Sequence, residues 1–108
     1  MKLTIVKWPR VERDLIELYA YIAQDKQAPA DRLLAVADEA FERLALNPSM
    51  GTVWRSTRPH LRGIRSYPMP APYRSYIVVY RVTEAQLEVI AVLHGARDLE
   101  GLLGDIVE

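Results

Sequence analysis

The spacing of apolar residues changes half-way along the chain, and this change restricts the fold more than any other feature. Apolar residues recur every three or four positions from about residue 10 to 24, and again from Pro29 to the Asn47-Pro48 stop, which predicts two amphipathic helices. Within Tyr73–Val82 four apolar residues (IVVY) are consecutive, as in a strand that is covered on both faces. Packing a helical hairpin against a sheet buries both patterns, so the sequence predicts an α+β fold.

The remaining segments predict three further strands and one short helix. Residues 2–7 (KLTIVK) are predicted to form a strand near the edge of the sheet, because lysines flank it. Strands are expected over Leu61–Tyr67 and Leu87–Leu93, with a turn at Thr83–Gln86, and a short helix over 99–107. The expected architecture is a strand, a helical hairpin, a three-stranded antiparallel sheet joined by the N-terminal strand, and a short C-terminal helix.

The composition is that of a single globular domain over residues 1–108. The chain contains no cysteine, which excludes disulfides and thiolate metal sites and suits a reducing cytoplasm. No stretch approaches the roughly 20 apolar residues of a membrane span, and the N-terminal apolar run is too short for a signal peptide. We therefore expect a cytoplasmic protein that acts without a membrane, a metal or a cofactor.

Charge is segregated along the sequence although the chain is formally neutral. Residues 51–83 contain no acidic side chain but six arginines: Arg55, Arg58, Arg62, Arg65, Arg74 and Arg81. Residues 84–108 contain six acidic side chains and one basic one, Arg97. Arginine pairs bidentately with carboxylate and phosphate groups, so this pattern predicts a binding surface for an anionic partner.

Several strings in this order resemble the ParE/RelE superfamily of toxins from type II toxin–antitoxin systems. They are Asp14-Leu15 in the predicted hairpin, Leu61-Arg62-Gly63, the strand Tyr76–Val82 (YIVVYRV) and Val92–Leu99 (VLHGARDL). The resemblance covers nearly the whole chain, and the last string is closer to the ParE branch than to RelE. It implies a cytoplasmic toxin that is neutralised by a ParD-like antitoxin in a hetero-oligomer.

The resemblance leaves two cellular targets and one inactive alternative open. ParE-type toxins are associated with inhibition of DNA gyrase, whereas RelE-type toxins cleave messenger RNA on the ribosome. The third possibility is a degenerate member that binds its antitoxin but is not toxic. RelE-like sites place lysines on the middle strands, related sites use a glutamate before them, and both use a tyrosine near the C-terminus. This chain has no lysine after Lys26, no acidic residue in 51–83 and no tyrosine after Tyr80, which favours the non-catalytic gyrase inhibitor.

The candidate site residues follow from these alternatives. The residues predicted to bind the partner are Arg62, Arg65, Arg74, Arg81 and Arg97. If the protein is a nuclease, its site is His94 with Arg65, Arg81 and Arg97, since an arginine stabilises phosphorane charge but stays protonated and is a poor base. His60 is a weaker candidate base. Against the nuclease, His94 fits better as a residue that hydrogen-bonds the turn after its strand, and each arginine fits equally well as a solvated or internally paired charge. Arg65 and Arg81 are expected to converge across neighbouring strands.

Overall fold

A computed structural model of the chain describes residues 1–54 and 62–95. Within them, the described elements are β1 (Thr4–Lys7), α1 (Pro9–Ala23), α2 (Gln27–Leu46), a short 3-10 turn (Pro48–Met50), β2 (Thr52–Val53), β3 (Arg65–Pro68), β4 (Tyr76–Thr83) and β5 (Gln86–His94). No helix in these residues is long and apolar enough to cross a membrane. The short helix predicted over 99–107 lies outside the described residues.

Both helices carry a proline in their first turn, where a missing backbone N–H is tolerated. Pro9 is the first residue of α1, a position where its missing N–H costs nothing, and Glu12 lies in the same positively polarised first turn. α2 begins at Gln27, two residues before the predicted start at Pro29. Pro29 is accommodated because the first four N–H groups of a helix have no partner within it. The predicted helical hairpin is confirmed.

The described strands form one five-stranded sheet in the order β1-β5-β4-β3-β2. β1 pairs in parallel with β5 and lies at one edge, as its flanking lysines predicted, while all other neighbours are antiparallel. The sequence predicted one strand fewer. The additional strand, β2, pairs Thr52 and Val53 with Ser66 and Arg65, and two residues are too few to produce an alternating pattern. β3 begins at Arg65 because a turn precedes it, in which Gly63 has a φ of 82° that favours glycine.

The sheet has an apolar side packed against the helices and a second apolar side facing away from them. Tyr76, Val78 and Tyr80 of β4 lie in the cluster that contains Leu33 and Phe41 of α2. The other side holds a smaller cluster of buried residues, Ile64, Val79, Ile90, Ala91 and Leu93, against which Trp8 and Trp54 pack. This alternation confirms that the consecutive apolar residues of β4 form a strand buried on both faces.

A buried carboxylate joins α1 to the sheet. β1 pairs with β5 only as far as Val89, so the rest of β5 has no parallel strand beside it. There the backbone N–H of Val92 donates to Oδ2 of Asp14 at 3.1 Å. Arg10, one turn earlier on α1, donates from Nε to the same carboxylate at 3.1 Å. The sequence placed Asp14 in the helical hairpin but did not indicate this contact.

Candidate partner-binding surface

Arg65 lies at the start of β3 and binds the backbone of the segment that joins α2 to β2. It is opposite Tyr80 in the β3–β4 register, so both side chains lie on the helix-facing side of the sheet. Its Nη1 donates to the carbonyl oxygen of Gly51 at 2.8 Å and, over a longer 3.4 Å, to that of Ser49. Arg65 is half-buried and helps to fix the segment that leads from α2 into β2.

Tyr80 binds the same segment through its hydroxyl group. Its hydroxyl donates to the carbonyl oxygen of Pro48 at 2.7 Å and accepts from the N–H of Gly51 at 2.8 Å. A Cβ at position 51 would lie 2.7 Å from Cε1 of Tyr80 and closer still to its hydroxyl oxygen, so the close approach requires glycine. Burial raises the pKa of Tyr80, which keeps the hydroxyl protonated and able to donate. The sequence placed Tyr80 only in the apolar run IVVY of β4; the hydroxyl at the end of that run was the signal for this role.

Arg81 lies on the opposite side of the sheet, where Glu88 neutralises it. The two residues are partners in the β4–β5 register, and Arg81 donates from Nε and Nη2 to the Glu88 carboxylate at 3.1 and 3.2 Å. The guanidinium also lies 5.9 Å from the ring centroid of Trp8, whose indole N–H donates to Glu88. The hydrogen bond from Arg81 holds the pKa of Glu88 below its usual value despite burial. Arg65 is the register partner of Tyr80, and Arg81, the next residue along β4, points to the other face of the sheet. The prediction that Arg65 and Arg81 converge is therefore wrong.

The other predicted arginines lie in turns. Arg62 precedes β3, and Arg74 follows it in the loop that leads to β4; both are exposed. Within residues 1–54 and 62–95, neither forms an ion pair with a carboxylate. Arg97 lies outside the described residues. Of the predicted arginines that the structure describes, Arg62 and Arg74 are therefore exposed in the turns on either side of β3, and Arg65 is partly buried.

His94 lies at the end of β5, far from both of the described arginines proposed for a nuclease site. It is the register partner of Tyr76, and its ring centroid is 5.0 Å from those of Tyr21 and Tyr76. Arg81 is five residues from Tyr76 along β4 and on the other face, a separation of about 17 Å along the strand. Arg65 is on the same face as His94 but lies opposite Tyr80, about 13 Å along β4. His60 lies outside the described residues.

An open cleft adjoins His94. It has a volume of about 550 Å³ and lies between the end of α1 and the loop joining β3 to β4. The rings of Tyr21, Tyr73 and Tyr76 line it. This cleft was not predictable from the sequence, because its walls come from segments about 50 residues apart. No group of three or more potential metal-ligating side chains occurs in the part of the chain that the structure describes.

The sequence of residues 6–99 matches the family described as the ParE toxin of the type II toxin–antitoxin system parDE. The chain belongs to the ParE toxin family. No curated protein matches the sequence significantly. Two solved structures share the fold of this ParE-family chain. One is the chromosomal ParDE toxin–antitoxin system from P. aeruginosa, with 14% identity, a TM-score of 0.67 and coverage of 88% of this chain and 98% of that one. The other is the toxin–antitoxin complex RelBE2 from Mycobacterium tuberculosis, with 24% identity, a TM-score of 0.61 and coverage of 87% and 99%.

The strings that carried the resemblance to the ParE family occupy positions that build the fold. Asp14 joins α1 to Val92 of β5, and Tyr80 in the YIVVYRV string holds the Pro48–Gly51 segment. Their spacing in the sequence therefore reflects contacts that hold the sheet and the hairpin of this chain together. Of the predicted partner-binding arginines that the structure describes, Arg62 and Arg74 lie in turns, where the fold constrains the sequence less.

Proposed function

We propose that this ParE-family chain is the toxin of a type II toxin–antitoxin pair, that a ParD-like antitoxin binds and neutralises it in a hetero-oligomer, and that the free toxin inhibits DNA gyrase without cleaving nucleic acid. The family match over residues 6–99 supports the toxin role. The observation that carries the choice of target is the separation of His94 from Arg65 and Arg81. RNA cleavage needs a base, a charge that stabilises the phosphorane and an acid, all within reach of one phosphate.

The exposed arginines support an acidic segment of the antitoxin as the bound anion. Among the described residues, no carboxylate forms an ion pair with Arg62 or Arg74, so both charges are available to a partner protein. Arg81, in contrast, is neutralised by Glu88. Exposed charges at the rim of an interface mainly increase the association rate and make it sensitive to salt. Arg65 contributes by holding the segment from Ser49 to Gly51 that leads into β2.

A charge-reversal series tests the antitoxin surface. We expect Arg62→Glu/Arg74→Glu to weaken antitoxin binding about tenfold or more, mostly through slower association at low salt. Arg32→Glu is the matched control, because Arg32 is an exposed arginine on α2, away from β3. Surface plasmon resonance at two salt concentrations measures both. Equal affinities for the double variant, the control and the wild type would contradict the assignment.

A second experiment tests the cellular target. The toxin is expressed alone in a bacterium, and the purified protein is added to gyrase supercoiling reactions and to ribosomes translating a defined message. We expect filamentation with DNA-damage signalling and loss of supercoiling, while the message stays intact. Cleaved ribosome-bound message with normal supercoiling would establish the RelE-like nuclease instead. Undisturbed growth together with normal antitoxin binding would identify a non-toxic family member.

A further inference from the structure

The cleft beside His94 has a fixed wall and an exposed wall. Tyr73 is buried, and its hydroxyl donates to the carbonyl oxygen of Pro29 at 2.8 Å, which fixes the ring against α2. The Tyr76 ring lies 6.3 Å from that of Tyr73 and is also buried. Tyr21, at the end of α1, contacts His94 with its ring, yet 55% of the residue is exposed. An exposed ring beside a preformed aromatic wall is typical of a site that a partner covers.

The electrostatics of the cleft favour a cation. α1 ends at its rim, and the last turn of this helix carries no basic residue to offset the partial negative charge of its carbonyl groups. The faces of the tyrosine rings are negative as well. Burial raises the pKa of Tyr76, so its hydroxyl remains neutral and its oxygen can accept a hydrogen bond. Asp25 and Lys26 both line the cleft and offset each other's formal charge, so the helix end and the rings determine the sign.

The aromatic rings and hydrogen-bond acceptors that line the cleft favour arginine over lysine. A guanidinium is planar, stacks on tyrosine faces and is more weakly hydrated than an ammonium group. It also presents several N–H donors, which the hydroxyl oxygens of Tyr21 and Tyr76 and the Asp25 carboxylate can accept. We propose that this cleft binds an arginine side chain of the antitoxin, which stacks on the exposed ring of Tyr21 where Tyr73 and Tyr76 line the cleft. The choice of partner depends on the proposed function, but the choice of arginine does not.

A titration of the toxin alone tests the chemistry of the cleft. The probe is N-acetyl-arginine amide, and N-acetyl-citrulline amide is the control, since it is nearly the same shape without the charge. NMR follows the ring resonances of Tyr21, Tyr76 and His94. We expect saturable shifts with the arginine amide, at least about fivefold weaker binding of the citrulline amide, and loss of binding in Tyr21→Leu. Equal binding of the two amides, or no saturable shift at these rings, would overturn the proposal.

Variants at position 21 test the source of the arginine. We expect Tyr21→Leu to weaken antitoxin binding about fivefold and Tyr21→Phe, which keeps the ring, to stay close to the wild type. Because Tyr21 is exposed, both variants should fold, and circular dichroism checks this. Equal antitoxin affinities for the leucine and phenylalanine variants would refute the antitoxin as the occupant. If the wild type binds no antitoxin, the proposed function fails, whereas the arginine titration still decides what the cleft binds.

Discussion

The pairing of Arg81 with Glu88 predicts that a residue in the most basic segment of the sequence stabilises the fold. The two side chains join neighbouring strands through hydrogen bonds of 3.1 and 3.2 Å, and Arg81 also lies over the Trp8 ring. Arg81→Ala removes both hydrogen bonds and the contact with Trp8. It leaves the Glu88 carboxylate with hydrogen bonds from Trp8 and Thr83 but without its counter-charge. We therefore expect a loss of stability that a surface arginine would not show.

The burial of the pair sets the magnitude. The Arg81 and Glu88 side chains are 30% and 16% exposed, so water screens the pair only in part. Exposed ion pairs contribute about 0 to 1 kcal/mol, and breaking a fully buried pair costs about 3 to 5 kcal/mol. An intermediate loss of about 2 kcal/mol is expected for Arg81→Ala. For a domain of this size that corresponds to a Tm lower by roughly 10 °C.

A double-mutant cycle in urea separates the pair from other effects of each substitution. The free energies of unfolding of Arg81→Ala, Glu88→Ala and the double variant are compared, and we expect a coupling of about 1 to 2 kcal/mol. Arg74→Ala is the control: this exposed arginine forms no ion pair within residues 1–54 and 62–95, and should change stability by less than about 0.5 kcal/mol. A coupling near zero, or an equal loss in Arg74→Ala, would refute the reasoning.

Substitutions at three positions probe other contacts that hold the fold together. Gly51→Ala should cost about 1 to 3 kcal/mol of unfolding free energy, because its Cβ would overlap Tyr80; equilibrium urea unfolding measures this, and a neutral result would mean that the segment moves freely. Asp14→Ala should cost about 3 kcal/mol and Asp14→Asn about 1 kcal/mol, since asparagine can still accept from the N–H of Val92; equal losses in thermal unfolding would argue against that hydrogen bond. The hydrogen bond from Arg81 depresses the pKa of Glu88 in the folded protein. The Glu88 carboxylate therefore stabilises the fold at a pH above about 4.3, the glutamate pKa expected in the unfolded chain. This stabilisation is lost as the pH falls through the lower pKa of the folded state. Between about pH 5 and pH 3, Glu88→Gln should therefore lose less stability than the wild type, and parallel losses would show that another group is responsible.

The helices and the faces of β4 were predictable because they depend on local periodicity. Apolar spacing and the prolines placed both helices within a few residues of their bounds, and the IVVY run predicted a strand covered on both faces. The two-residue strand β2 was not predictable, because pairing with β3 defines it rather than its own sequence. The parallel contact of β1 with β5 joins segments about 80 residues apart, and no local pattern encodes such a partner.

The candidate site was less predictable because it depends on register. The expected meeting of Arg65 and Arg81 assumed that basic residues on neighbouring strands share a face, but the register pairs Arg65 with Tyr80. The pairing of Arg81 with Glu88 was within reach of the sequence. A turn predicted at Thr83–Gln86 brings residues 81 and 88 opposite each other, and the β4–β5 hairpin has that register. A charge excess counted along a segment overstates the surface charge when such pairs are ignored.

The positions of Arg62 and Arg74 restrict which anion can use both. They lie in turns on either side of β3, a strand of four residues that is about 13 Å long. An extended peptide that lies along the strand covers this length in about four residues, so acidic side chains about four positions apart can each meet one of the two arginines. The proposed antitoxin segment should therefore carry its acidic side chains at that spacing. A segment with one compact acidic cluster would engage only one end of β3, and its affinity would then respond to Arg62→Glu or to Arg74→Glu, but not to both.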